Sequence, residues 1–98
     1  MNLDEVKVLT QKTLIGQLGA YGFDHVDVAA GKDHDEDEAL FMTAKYKSGS
    51  VLPSGDVLNR TLAILRRELQ KAGEDRFPYL THRPEGEETG YDEEDAPQ

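Results

Sequence analysis

Ninety-eight residues, 37% hydrophobic and 32% charged, with a formal net charge of -9 and no cysteine, suffice for one thin-cored domain and not for two. Disulfides, thiolate zinc sites and cysteine nucleophiles are excluded together. No apolar run approaches the roughly 18 residues of a membrane span, and Met1-Asn2-Leu3-Asp4-Glu5 lacks the basic-then-apolar pattern of a leader, so a cytoplasmic address without membrane contact is expected.

Asn2 opens a helical pattern with Glu5 three residues on, the spacing at which each side chain satisfies a free backbone amide of the first turn. A helix from Leu3 to about Ala20 places Leu3, Val6, Leu9, Thr13, Leu14, Leu18 and Tyr21 on one broad side. Val8 and Ile15 fall outside it, one heptad apart, on a flank that either another element or a partner must cover. Gly16, Gly19 and Gly22 weaken the helix end, and Gly22 is the expected left-handed cap. A helix precedes these glycines and a strand follows, the reverse of the order a phosphate-binding glycine loop needs.

Alternation from Phe23 to Ala30 turns Val26 and Val28 inward and His25 and Asp27 outward; a second, from Leu40 to Lys47, turns Leu40, Met42, Ala44 and Tyr46 inward and Phe41, Thr43, Lys45 and Lys47 outward. Keeping both inner faces together in an antiparallel hairpin pairs Val28 with Met42 and His25 with Lys45. The connection, Gly31 to Ala39, is long for a hairpin and carries five carboxylates from Asp33 to Glu38, so a mobile tip is expected. Ser54 caps a second helix running to Ala72 and ended by Gly73. Its apolar arc (Val57, Leu58, Thr61, Leu62, Ile64, Leu65, Leu69 and Ala72) opposes a basic line of Arg60, Arg67 and Lys71. Glu68 sits at the arc's edge, where a covered carboxylate needs a donor. A last alternating piece, Arg76 to His82, contains Pro78, which cannot donate to a ladder and so belongs at a sheet edge.

The expected fold is a two-layer α+β sandwich of order α-β-β-α-β, in which two helices cover one face of a three-stranded, mainly antiparallel sheet. A right-handed crossover through the second helix gives the spatial strand order 2-1-3. The single domain spans residues 1–83. Residues 84–98 hold seven acidic residues and no periodicity, and are expected to form a disordered acidic tail. Without residues 33–38 and 85–98 the chain carries eight acidic and eleven basic residues, about +3.

The acidic loop invites a metal reading and fails it. With Asp33 as first ligand, the sixth position is Glu38 rather than Gly and the twelfth is Ala44 rather than Glu, so an EF-hand's turn and bidentate closure are missing. His25, His34 and His82 have no ligand spacing. No metal and no cofactor are expected, and Ser48, Ser50 and Ser54 lack a nucleophile-elbow sequence, so no catalytic residue is assigned. The leading expectation is a non-enzymatic interaction or regulatory module, such as an accessory subunit or an antitoxin- or immunity-type inhibitor of a basic partner. It would bind a protein partner or itself, as a homodimer, through Val8, Ile15, Arg76, Phe77 and Tyr79, aromatics and Arg being enriched at interface cores. A second expectation is a nucleic-acid-associated protein with Arg60, Arg67 and Lys71 on a polyanion; a small enzyme or metal-binding protein is third.

Overall fold

Asn2 starts the first helix as a full capping box: its Oδ1 accepts from the Glu5 N–H at 2.8 Å while the Glu5 carboxylate accepts from the Asn2 N–H at 3.0 Å. In the computed structural model, which describes residues 1–84, this helix, α1, spans Leu3–Leu18. A short 3-10 turn over Gly19–Tyr21 follows, and Gly22, at φ 93°, closes it in the left-handed conformation foreseen for it. Strands β1 (Phe23–Lys32) and β2 (Glu38–Tyr46), helix α2 (Gly55–Lys71) and strand β3 (Phe77–Pro84) complete the α-β-β-α-β order. The Ser54 hydroxyl caps α2, and Gly73, at φ 94°, follows its end. The segment expected to be a disordered acidic tail lies outside the described residues except for Pro84, which is the last residue of β3. Among the described residues, no helix is long and apolar enough to cross a membrane.

The hairpin register agrees with the alternation: Val28 lies opposite Met42 and His25 opposite Lys45. The third strand does not lie where a crossover above β1 would carry it. The order is β1-β2-β3, with β3 parallel to β2, so the sheet is mixed and β2 is its centre. β2, α2 and β3 thus form one parallel crossover unit between neighbouring strands, the shortest path α2 can bridge. Pro78 is at an edge, as its missing N–H requires.

The outer edge of β1 is met by α1. Gln11 accepts from the Val26 N–H at 3.0 Å and donates to the Asp24 carbonyl at 3.1 Å, so one side-chain amide takes the place of a neighbouring strand's peptide. Val6, Leu14 and Leu18 of α1 and Leu65 and Leu69 of α2 pack on Val26, Leu40, Met42, Ala44 and Tyr46, which makes both helices cover the same face of the sheet. This is a two-layer sandwich in which no described helix covers the other sheet face.

Thr10 sits in that core fully buried, its hydroxyl without a hydrogen-bond partner. Thr10→Val keeps the shape and removes the unpaired oxygen, so it is expected to raise unfolding stability by about 1 kcal/mol. Urea titration checks this; a lowered midpoint at constant slope would contradict it.

Candidate interaction surface

Outward residues of the three strands fall into rows across the open face. From one end these are Gly31, Ala39 and Phe77; then Ala29, Phe41 and Tyr79; then Asp27, Thr43 and Thr81; and last His25, Lys45 and Arg83. Because β3 pairs directly with β2, Phe41 and Tyr79 are neighbours and stack, centroids 5.5 Å apart and planes 14° from parallel. Phe77 meets Tyr79 edge-on at 4.8 Å. Gly31 makes room on the other side: a Cβ there would lie 3.1 Å from the Phe41 ring, which would have to give way by a few tenths of an ångström. Phe41 and Phe77 remain 40% and 38% exposed, and Ala39 beside them is fully buried. The result is an aromatic cluster on a sheet face that no described helix covers.

The acidic tip borders this cluster. The ladder continues to Lys32 opposite Glu38, leaving only Asp33–Asp37 as a turn, shorter than the Gly31–Ala39 connection expected. Asp33 organises it: its Oδ1 accepts from the Asp35 and Asp37 N–H groups at 2.9 and 3.1 Å, and its Oδ2 accepts from the Tyr79 hydroxyl at 3.0 Å. Partial desolvation alone would raise the Asp33 pKa, but the Asp37, Tyr79 and Asp35 hydrogen bonds prevail and hold it below the usual carboxylate range. Tyr79 is raised in return, first by its bond to Asp33. Glu36 takes φ 68°, a left-handed position uncommon for a residue with a side chain. Asp33, Asp35 and Asp37 place carboxylate oxygens within 4.8 Å of one another. The Asp33 oxygens accept from three donors, which build the turn around it.

The other predicted contact residues are dispersed. Val8 and Ile15, 69% and 53% exposed, lie on the outer flank of α1 beside Gln11, Lys12 and His25, around the β1 edge from the aromatic cluster. Arg76 is committed internally. Its Nε and Nη2 bind the Glu74 carboxylate at 2.8 and 2.9 Å, and Nη2 also donates to the Met1 carbonyl at 2.9 Å. Arg60, Arg67 and Lys71 are exposed along α2, and Lys71 pairs with Glu68 at 3.6 Å, the donor that Glu68 called for. The neighbouring Arg66 places its guanidinium 4.8 Å from the Phe77 ring centre.

Two functional features escaped the sequence reading. Phe41 was read as outward but had no aromatic neighbour until β3 paired with β2. Glu74 is the buried acid, 4% exposed, where attention had gone to Glu68. Its signal was local: Gly73 ends the helix, and the Glu74–Arg76 spacing lets a carboxylate clamp the guanidinium and N–H two residues on. Compared with known proteins, the chain matches no protein-family model, no curated protein sequence and no solved structure.

Proposed function

We propose that this protein is a non-enzymatic, cytoplasmic interaction module that engages a protein surface through the open face of its sheet. The observation that carries the reading is the Phe41–Tyr79–Phe77 cluster, exposed on a face that no described helix covers. Rigid strands hold the rings in place, so binding costs little side-chain entropy, and two phenylalanines and a tyrosine supply the kind of anchor that dominates interface energy. Val8 and Ile15 form a second, separate apolar strip that a larger partner could reach around the β1 edge.

Carbene footprinting tests the proposal. In host extract, Phe41, Phe77 and Tyr79 are expected to be protected severalfold relative to the dilute purified protein, while exposed Val51 on the far loop labels equally in both. Equal labelling of the aromatic cluster in both conditions would overturn the reading. Strong, salt-sensitive binding of RNA or DNA that Arg60→Glu and Arg67→Glu abolish would establish the polyanion reading in its place.

A further inference from the structure

We infer that the outer flank of α1 is a self-association surface, on which two copies of this chain pair their first helices antiparallel about a twofold axis at Val8, with Asp4 of each against the partner's Lys12. This contact involves the α1 flank alone and is independent of the aromatic sheet face.

Val8 and Ile15 are exposed although α1 already buries Val6, Leu14 and Leu18 on its inner side. They stand seven residues apart, and seven steps of about 100° bring the second to within about 20° of the first, so they form one strip along the helix. Shallow apolar grooves lie on both sides of the ridge made by Val8 and Lys12, one toward Gln11, Ile15 and His25, the other toward Asp4, Glu5 and Leu9. A ridge between two grooves is the shape that receives a second helix.

The order of charges along the strip fits a second copy of the same helix. Asp4 lies four residues before Val8 and Lys12 four residues after it, so each falls within about 40° of Val8 and about 6 Å from it along the axis, the acid toward one end and the base toward the other. Both are exposed, and neither forms an ion pair among the described residues. Reversing the helix about Val8 exchanges the two. Each Asp4 then meets the partner's Lys12, and Val8 meets the partner's Val8 at the axis, the reciprocity that a twofold interface requires.

Other symmetric arrangements lose that match. A parallel pair sets Asp4 beside the partner's Asp4 and Lys12 beside the partner's Lys12. An antiparallel pair centred midway between Val8 and Ile15 packs those two on each other, but it crowds Lys12 against the partner's Lys12 and leaves Asp4 opposite the partner's Gly19, away from any cation of the strip. Like-charge juxtaposition costs enough to reject both, so the register centred on Val8 is selected.

The size of the strip sets the expected strength. Residues 4 to 15 run about 18 Å along a helix about 10 Å across, a footprint well below the ~800 Å² per partner of a standard interface. The dimer is accordingly weak, with a dissociation constant on the order of 100 μM or above, and weaker still at high salt.

The cysteine-free chain makes the geometry directly readable. Val8→Cys places two thiols across the axis, where the roughly 4.4 to 6.8 Å Cα separation of a disulfide can be met. Under mild oxidation at about 200 μM it is expected to form a covalent dimer at least about tenfold faster than Val51→Cys, a more exposed valine on the loop before α2. Sedimentation velocity of the full chain from about 20 μM to about 1 mM is expected to show a monomer–dimer equilibrium. Lys12→Asp, which leaves the start of α1 intact, should weaken it at least about fivefold, and adding Asp4→Lys in the same chain should restore it, because both charges are then exchanged together. Crosslinking no faster than Val51→Cys, or a doubly exchanged chain that folds normally and fails to recover the dimer, overturns the register. A chain that stays monomeric throughout overturns self-association. A dimer that Phe41→Glu abolishes and Val8→Glu leaves intact moves the contact to the aromatic face and overturns its assignment to α1.

Discussion

Glu74→Ala is expected to lower stability at neutral pH by about 3 kcal/mol, and Glu74→Gln to remove the part of the fold's acid sensitivity that sets in below pH 4.5. The carboxylate is almost wholly covered. Its Oε2 accepts from the Arg76 Nε and backbone N–H, both at 2.8 Å, its Oε1 accepts from Nη2 at 2.9 Å, and the Met1 ammonium is 3.7 Å away. The Arg76 hydrogen bond, aided by the Arg76 N–H and the two positive charges and opposed by desolvation, brings its pKa from 4.5 to about 2. A depressed carboxylate pKa stabilises the folded state above the unfolded value, so the contribution is complete above pH 4.5 and is lost as pH falls from there toward about 2. Removing the carboxylate leaves a partly covered guanidinium with fewer acceptors, which costs more than the pair is worth on its own. It also loosens a tie between the start of α1 and the α2–β3 turn, made through the Met1 carbonyl and Arg76. Urea unfolding of wild type and Glu74→Gln from pH 2 to pH 7 measures both effects; parallel acid limbs for the two proteins would contradict the assignment.

Local chemistry was legible in the sequence wherever one segment decided the outcome. Asn2 with Glu5, Ser54, and the glycines at 22 and 73 each satisfy or terminate a helix end without help from the rest of the chain, and all appear in the structure in those roles. The hairpin register followed from parity because one face had to be buried. Strand order was a different kind of question. Alternation in Arg76 to His82 says that a strand exists and which residues share a face, but which neighbour it takes depends on where α2 lands on the sheet. A place for β3 beside β1 separates Phe41 from Tyr79, so the aromatic cluster at the centre of the proposed surface is not legible, although Phe41 reads as outward and Phe77 and Tyr79 share one side of their strand. The acidic tip shows the same limit. Repulsion among five carboxylates predicts mobility, and one of them, Asp33, instead collects three donors and fixes the turn.

Tyr46 is where the three strands depend on one side chain, and Tyr46→Ala is expected to cost about 3 to 5 kcal/mol, enough to leave a chain of this size marginal or unfolded at 37 °C. Tyr46 is fully buried on central β2, meets Phe23 of β1 edge-on with centroids 6.1 Å apart, and brings its hydroxyl to within 2.8 Å of His82 Nδ1 on β3. Burial raises the Tyr46 pKa to about 12 and lowers that of His82, so at neutral pH a neutral phenol and a neutral imidazole share this hydrogen bond, whose direction follows the imidazole tautomer. Tyr46→Phe keeps the packing and leaves His82 Nδ1 without this partner, a loss of about 1 kcal/mol. The histidine also gives the fold a pH dependence distinct from that of Glu74. A base whose folded pKa is depressed contributes fully above its unfolded value of 6.5, and its contribution falls as pH drops below 6.5 through the lowered value. Stability is therefore expected to decline in two separate steps on acidification, the first through His82 and the second, below pH 4.5, through Glu74. His82→Gln should remove the first step and leave the second, Glu74→Gln the reverse; a single step that either substitution abolishes would mean that the two ends of β3 unfold as one titrating unit.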